Sequence, residues 1–345
     1  DTAYPAPGFQ EQNPRDWWDC VVRSTRQLMA KSGVEPAAVK AIGLSGHSLG
    51  VVAVDSRGQL LSTRTPIWSD ARAGKQAERF FSRVDEKEWY MATGNGFPAH
   101  LYAVFKIMWY RDHEPALYEA AAQFLGTKDY INMLLTGVCC TDYSYASGSG
   151  VYLLREERYE PRYIQAADIA AEKLPVIVPS TQVVGCLTKA AAEALGLPEK
   201  VQVVAGGVDN ACMALGADCL TGGKAYTSLG TSAWIAVADD KPIVDFETKP
   251  YVFAHCVPHQ FVSATCIFSA GRSLKWVRET LCGNLEAEAE QQGMDVYVLM
   301  DKLAEQSPVG ARNLLFNPSL AGGSSIDPSV ELKGSYAGLD LLHTQ

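Results

Sequence analysis

The stretch Val201-Gln-Val-Val-Ala-Gly-Gly-Val-Asp-Asn210 decides how this chain is read. An apolar run of strand length ends in Gly206 and Gly207 and delivers one acid, Asp209. A second run follows, Tyr226-Thr-Ser-Leu-Gly-Thr-Ser232, and ends in Gly230-Thr231-Ser232. A carboxylate at a strand end is where a general base can meet a substrate hydroxyl. A Gly-Thr-Ser turn can offer backbone N–H groups and hydroxyls to a phosphate. Together the stretches suggest phosphoryl transfer from a nucleotide to a hydroxyl. Spacing alone leaves a plain alternative to each. Asp209 could simply N-cap the helix beginning near Asn210, and the second turn could be an ordinary glycine-containing hairpin.

The surrounding chain reads as alternating strands and helices. Asn13-Pro14 predicts a helix start, with Asn13 as cap and Pro14 in the first turn. Residues 39–45 predict one short buried strand. Asp55-Ser-Arg-Gly58 predicts a hairpin turn between residues 51–54 and 60–62. Residues 75–130 read as mostly helical, and 187–195 as a helix closed by Gly196. A strand over 201–205, a helix through 211–217 and a hairpin over 224–238 follow. The last third mixes a strand over 260–265 with helices over 273–281 and 296–305. Such alternation with short connections predicts an α/β architecture. Thr221-Gly222-Gly223 is the expected domain boundary, and no internal repeat is visible.

Bulk properties narrow the function. The 345 residues favour about two domains. A net charge of −9 argues against nucleic acid as a partner. No apolar run approaches the roughly 20 residues of a membrane span. The nine cysteines are odd in number and include no C-x-x-C, so they read as reduced thiols in a cytoplasmic protein and not as a zinc site.

Several motifs, in order, carry a resemblance. They are Pro7-Gly8-Phe9 through Trp17-Trp18, Leu44-Ser-Gly-His-Ser-Leu-Gly50, Ile67-Trp-Ser-Asp-Ala-Arg72, Lys128-Asp-Tyr130 with Leu135-Thr-Gly137, and Thr141-Asp142. With residues 205–210 and 228–232 they make the chain resemble the FGGY carbohydrate kinases, most of all the xylulokinase branch. The resemblance covers essentially the whole chain. It has departures. His47-Ser48-Leu49 stands where that branch usually has Gln-Met-His, and Ala103 stands where Pro, Ser or Thr is usual, although Lys106 and Trp109 fit. The second family signature begins at Gly334 and does not finish before Gln345. A D-x-G-T-x hairpin expected at the front is not found. The chain is therefore expected to be an internal piece of a longer kinase.

The resemblance implies a set of site residues. Asp209 would be the general base, and Asn210 would lie along the sugar. His47, Ser48, Trp68 and Asp70 would face the sugar. The residues themselves also allow a structural role for His47 and a loop salt bridge between Asp70 and Arg72. Gly206 and Gly207 are expected to leave room for the sugar to approach the backbone. Gly230, Thr231, Ser232, Gly271 and Lys275 would hold the nucleotide, although Arg272 replaces a frequent glycine. ATP and Mg²⁺ are the implied cofactors, with no protein-built metal cage. The implied fold is the two-domain actin/hexokinase/Hsp70-like (ribonuclease H-like) α/β fold around a central cleft. Residues 1–221 would bind the sugar and 222–345 the nucleotide. The implied activity is phosphorylation of D-xylulose to D-xylulose 5-phosphate. The alternatives are a kinase for another ketose or polyol, and a non-catalytic sugar-binding or regulatory protein on the same scaffold. The partners would be sugar and ATP, with a homodimer left open.

Overall fold

Asn13 opens the first long helix. In this computed structural model, which describes residues 1–323, 329 and 331–343, its side chain accepts the Arg15 N–H at 3.1 Å. The helix runs Pro14–Ser32 and ends where Gly33 takes a left-handed φ of 65°. Cap and proline are local signals, so the start of this element matches its sequence expectation. Its inner face, including Trp17, Val21, Val22 and Met29, packs on a core built from Val52, Leu125, Leu135, Leu195 and Val203.

The expected single strand over 39–45 is two short strands, Ala41–Ile42 and Ser45–Gly46. Its parallel neighbour is broken in step, into Gln202–Val204 and Gly207–Val208. Gln202 pairs with Ala41 and Val203 with Ile42; Gly207 pairs with Ser45 and Val208 with Gly46. The break has a cause. Gly206 turns the chain with φ 72°, while the Gly207 N–H still reaches the Leu44 carbonyl at 3.0 Å. The outer neighbour of Gln202–Val204 is antiparallel Val183–Cys186. Val52–Val54 pairs antiparallel with Gln123–Leu125, and Cys140–Asp142 pairs parallel with Val176–Val178.

Gln123–Leu125 also corrects the helical reading of 75–130: helices Gly74–Phe81, Glu86–Thr93, Ala103–His113 and Pro115–Ala120 are followed by this strand before helix Thr127–Thr136. The helices enclose an aromatic core. Phe80 meets Phe105 edge-on at 5.3 Å, and Trp89 meets Tyr102 edge-on at 5.8 Å. Full burial of such a ring stabilises the fold by roughly 1.5–3 kcal/mol.

The chain divides into two compact units, Asp1–Ala225 with Val237–Ser263, and Tyr226–Ala236 with Ala264–Gln345. The first holds the elements above and Tyr251–Ala254. The second holds the turn 230–232, helices Gly271–Leu281, Gly283–Gln292 and Val296–Ala304, and the antiparallel pair Leu315–Asn317 with Ser335–Ala337. No helix among the described residues is long and apolar enough to cross a membrane.

Candidate active site

The parallel pair Ser45–Gly46 and Gly207–Val208 ends with both strands in register. The next residue on one strand is His47, and on the other Asp209. In open α/β sheets, ligands bind outside the carboxyl ends of such strands. Asp209 also starts helix Asp209–Gly216. Its Oδ1 accepts the Asn210 N–H at 2.9 Å. The helix cap position belongs to Val208, so Asp209 does not serve as the cap residue. Burial raises its carboxyl above the ordinary aspartate range, partly offset by backbone N–H groups.

The two glycines before Asp209 serve the protein, not an approaching sugar. A Cβ on Gly206 would fall 2.3 Å from the Leu44 carbonyl oxygen, and one on Gly207 would fall 2.2 Å from Cys256 Sγ. The expectation that they leave space for substrate is corrected accordingly.

Beneath this strand end lies a buried charge cluster that the sequence reading did not identify. Lys128 Nζ meets Asp129 Oδ1 at 2.5 Å and Asp142 Oδ1 at 2.8 Å. It also donates to the Ala205 carbonyl at 3.2 Å, which Asn132 reaches at 2.7 Å. Burial alone would pull the Lys128 ammonium down, but Asp129 and Asp142 outweigh it and hold it above its usual range. Asp142 Oδ2 accepts the Ser144 N–H, the Ser144 hydroxyl and the Ser180 hydroxyl. Ser144 Oγ in turn accepts the Val208 N–H at 2.9 Å. Ala205 and Val208, which flank the two glycines, are thus tied to one ionic cluster. A signal was present in the sequence: Lys128 and Asp129 are adjacent charges in a helix with few others.

His47 lies edge-on to Trp17, centroids 5.6 Å apart. It lines a 250 Å³ cleft with Trp17, Leu44, Ser45, Gly46 and Thr127. Its Nε2 is buried without a hydrogen-bond partner. Burial, then the charge of Lys106, brings the imidazole down to about 4. Ser48 is buried, and Leu49 beside it takes φ 62°. A branched side chain in the left-handed region costs of order 1–3 kcal/mol and persists only where its surroundings hold it. Lys106 holds it here. Its fully buried ammonium donates to the Leu49 carbonyl at 2.9 Å and the Ile67 carbonyl at 2.7 Å. Lys106 thereby joins the His47 loop to the Trp68 segment, and burial brings it down to about 7.

Trp68 is 49% exposed. Asp70, two residues on, is fully buried. Its carboxylate accepts Arg72 Nε and Nη2, each at 2.8 Å, and the Gln10 N–H at 2.6 Å. Arg72 also bonds Glu11 at 2.7 Å and lies over the Phe9 ring at 4.0 Å. The structure therefore contains the Asp70–Arg72 salt bridge that the sequence left open.

In the second unit, Gly230, Thr231 and Ser232 form an exposed turn. The Gly230 carbonyl accepts the Gly271 N–H at 2.8 Å, and the Thr231 carbonyl accepts the Ala270 N–H at 2.9 Å. A Cβ on Gly271 would fall 2.6 Å from the Gly230 carbonyl oxygen, so glycine is required for this contact. The turn and helix Gly271–Leu281 are thereby docked. Lys275 is exposed on that helix, 3.6 Å from Glu279.

Residues 1–216 match the family model described as FGGY family of carbohydrate kinases, N-terminal domain. The chain belongs to the FGGY family of carbohydrate kinases. The xylulose kinase of Bacillus subtilis (strain 168) is 31% identical over 338 residues, 98% of this chain and 65% of that protein. The gluconokinase of Bacillus licheniformis is 27% identical over 334 residues, 96% of this chain and 64% of that protein. The crystal structure of xylulose kinase from Rhodospirillum rubrum superposes with a TM-score of 0.86 at 30% identity, covering 100% of this chain and 67% of that one. The chain thus spans about two-thirds of the length of these relatives. Its fold is the mixed α/β, actin/hexokinase-like fold of the family.

Proposed function

We propose that this protein is an ATP-dependent ketose kinase that converts D-xylulose to D-xylulose 5-phosphate. The observation that supports this best is the placement of Asp209 and His47 at the ends of two registered parallel strands. Asp209 removes the proton of the attacking sugar hydroxyl. Its part-buried carboxyl, with raised proton affinity, suits that task, and general-base catalysis typically contributes about 10²–10⁴-fold. Asn210 lies along the sugar. His47 Nε2, buried without a partner, bonds a sugar hydroxyl, and Ser48 lies beside it. The exposed Trp68 indole packs on the apolar face of the sugar. Asp70 contributes to this wall through Arg72 and Gln10, which fix the loop presenting Trp68.

The nucleotide is assigned to Gly230, Thr231, Ser232, Gly271 and Lys275. The exposed Gly-Thr-Ser turn, docked on a helix start, fits a phosphate tail in its hydroxyls and backbone groups. ATP would supply the transferred phosphoryl group, and Mg²⁺ would be held mainly by phosphates and waters. Residues 1–221 form the sugar-binding domain in this proposal, and 222–345 belong to the nucleotide-binding domain. The protein works in the cytoplasm, where thiols are reduced in the resting state.

One observation favours a second substrate. His47-Ser48-Leu49 departs from the xylulokinase pattern, and a gluconokinase is 27% identical to this chain. The test is ADP release by the full-length protein across a panel of ketoses, polyols and gluconate. Release that is highest with D-xylulose supports the first reading. Preference for gluconate, a polyol or another ketose supports the second. No sugar-dependent release, with sugar binding retained, would indicate a binding protein instead.

A further inference from the structure

Two thiols converge behind the strand end that delivers Asp209. Cys212 lies on the Asp209 helix, and Cys256 lies just past strand Tyr251–Ala254. Their sulfurs are 3.9 Å apart. Both lie over the face of Gly207 that carries no side chain: a Cβ there would be 2.2 Å from Cys256 Sγ and 3.2 Å from Cys212 Sγ. Cys256 is buried, whereas Cys212 is only part-buried, so a small oxidant meets Cys212 first.

We propose that Cys212 and Cys256 are a reversible disulfide site, oxidised by a peroxide, whose closure disturbs the strand end carrying Asp209. The Cys212 thiolate attacks the peroxide O–O bond, giving a sulfenic acid at Cys212 and releasing water after proton transfer. The Cys256 sulfur then attacks the sulfenic sulfur and a second water leaves. Two thiols and one hydrogen peroxide become one disulfide and two waters. Closure requires the sulfurs to move from 3.9 Å to about 2.05 Å. The reactive thiol is suited to this. The hydrogen bond with Cys256 draws the Cys212 thiol down against burial, which favours its thiolate. The movement falls on Gly207, two residues before Asp209. An ångström of misplacement can cost about 10²-fold in a positioned reaction. This second half rests on the base role proposed for Asp209.

The test treats the protein with hydrogen peroxide at neutral pH, blocks remaining thiols and maps peptides by mass spectrometry. A Cys212–Cys256 linked peptide that dithiothreitol removes is expected, and Cys256→Ser should leave a Cys212 sulfenic acid that dimedone traps. Oxidation of exposed Cys20 and Cys186 with no such linkage would overturn the site. Ketose-dependent ADP release should fall at least about tenfold on oxidation, return with dithiothreitol, and resist peroxide in Cys212→Ser. Linked protein with undiminished release would overturn the coupling to Asp209. Absence of release from the reduced protein would count against the kinase reading, and the peptide map would still decide the disulfide.

Discussion

Ser144 Oγ accepts the backbone N–H of Val208 at 2.9 Å, and the same hydroxyl bonds the Asp142 carboxylate. The strand end before Asp209 is therefore anchored to a buried ion cluster. Ser144→Ala would leave the Val208 N–H without this partner and remove one donor from Asp142. Leaving a buried polar group unsatisfied costs about 1–3 kcal/mol. Denaturant unfolding should show a loss of that size. Stability unchanged by the substitution would remove Ser144 from this role.

Among the described residues, Lys128 is the only cation bridging Asp129 and Asp142. Lys128→Met leaves two buried carboxylates uncompensated, and breaking a buried pair in this way costs about 3–5 kcal/mol. The variant should unfold at clearly lower denaturant. A second substitution, Asp129→Asn, should recover part of the loss by removing one of the stranded charges. Failure of the double variant to recover any stability would contradict the electrostatic account.

His47 gives a pH dependence. Its folded value, about 4, lies below the ordinary 6.5. Between these values the unfolded chain binds more protons, so stability falls as pH falls through this window. Relative to His47→Gln, the wild-type protein should lose up to about 3 kcal/mol between pH 7 and pH 4. Parallel stability curves for the two proteins would show that the imidazole is not held neutral.

The turn proposed to hold phosphate should separate the two ligands. Thr231→Glu places a carboxylate on an exposed turn docked to helix Gly271–Leu281. Calorimetry should show ATP affinity weakened at least about tenfold by repulsion between the added carboxylate and the phosphates, with sugar affinity unchanged. Unaltered nucleotide affinity would remove this turn from the mechanism.

What could be read from sequence was what local chemistry controls. Asn13 and Pro14 set the start of the first helix, and Gly196 ends Lys189–Leu195. Asp209 stood out because an acid ending an apolar run is locally conspicuous. What escaped depends on residues far apart in the chain. Gly206 is needed because of the Leu44 carbonyl, and Gly207 because of Cys256. Strand Gln123–Leu125 forms because Val52–Val54 offers an edge, not because its three residues insist on it. The Asp142–Ser144–Val208 chain of hydrogen bonds likewise has no spacing that a linear reading could detect.

In the proposed reaction Asp209 takes a proton from a sugar hydroxyl. Ketose-dependent ADP release by Asp209→Asn, measured beside the wild-type protein, tests it most directly. The near-isosteric amide should preserve the fold and keep the sugar KM within a few-fold of wild type. Turnover should fall by about 10² or more, and the wild-type acid limb should lie above the ordinary aspartate range because burial raises this carboxyl. A variant that keeps more than about a tenth of wild-type turnover, a smaller loss than general-base catalysis normally implies, would contradict the account.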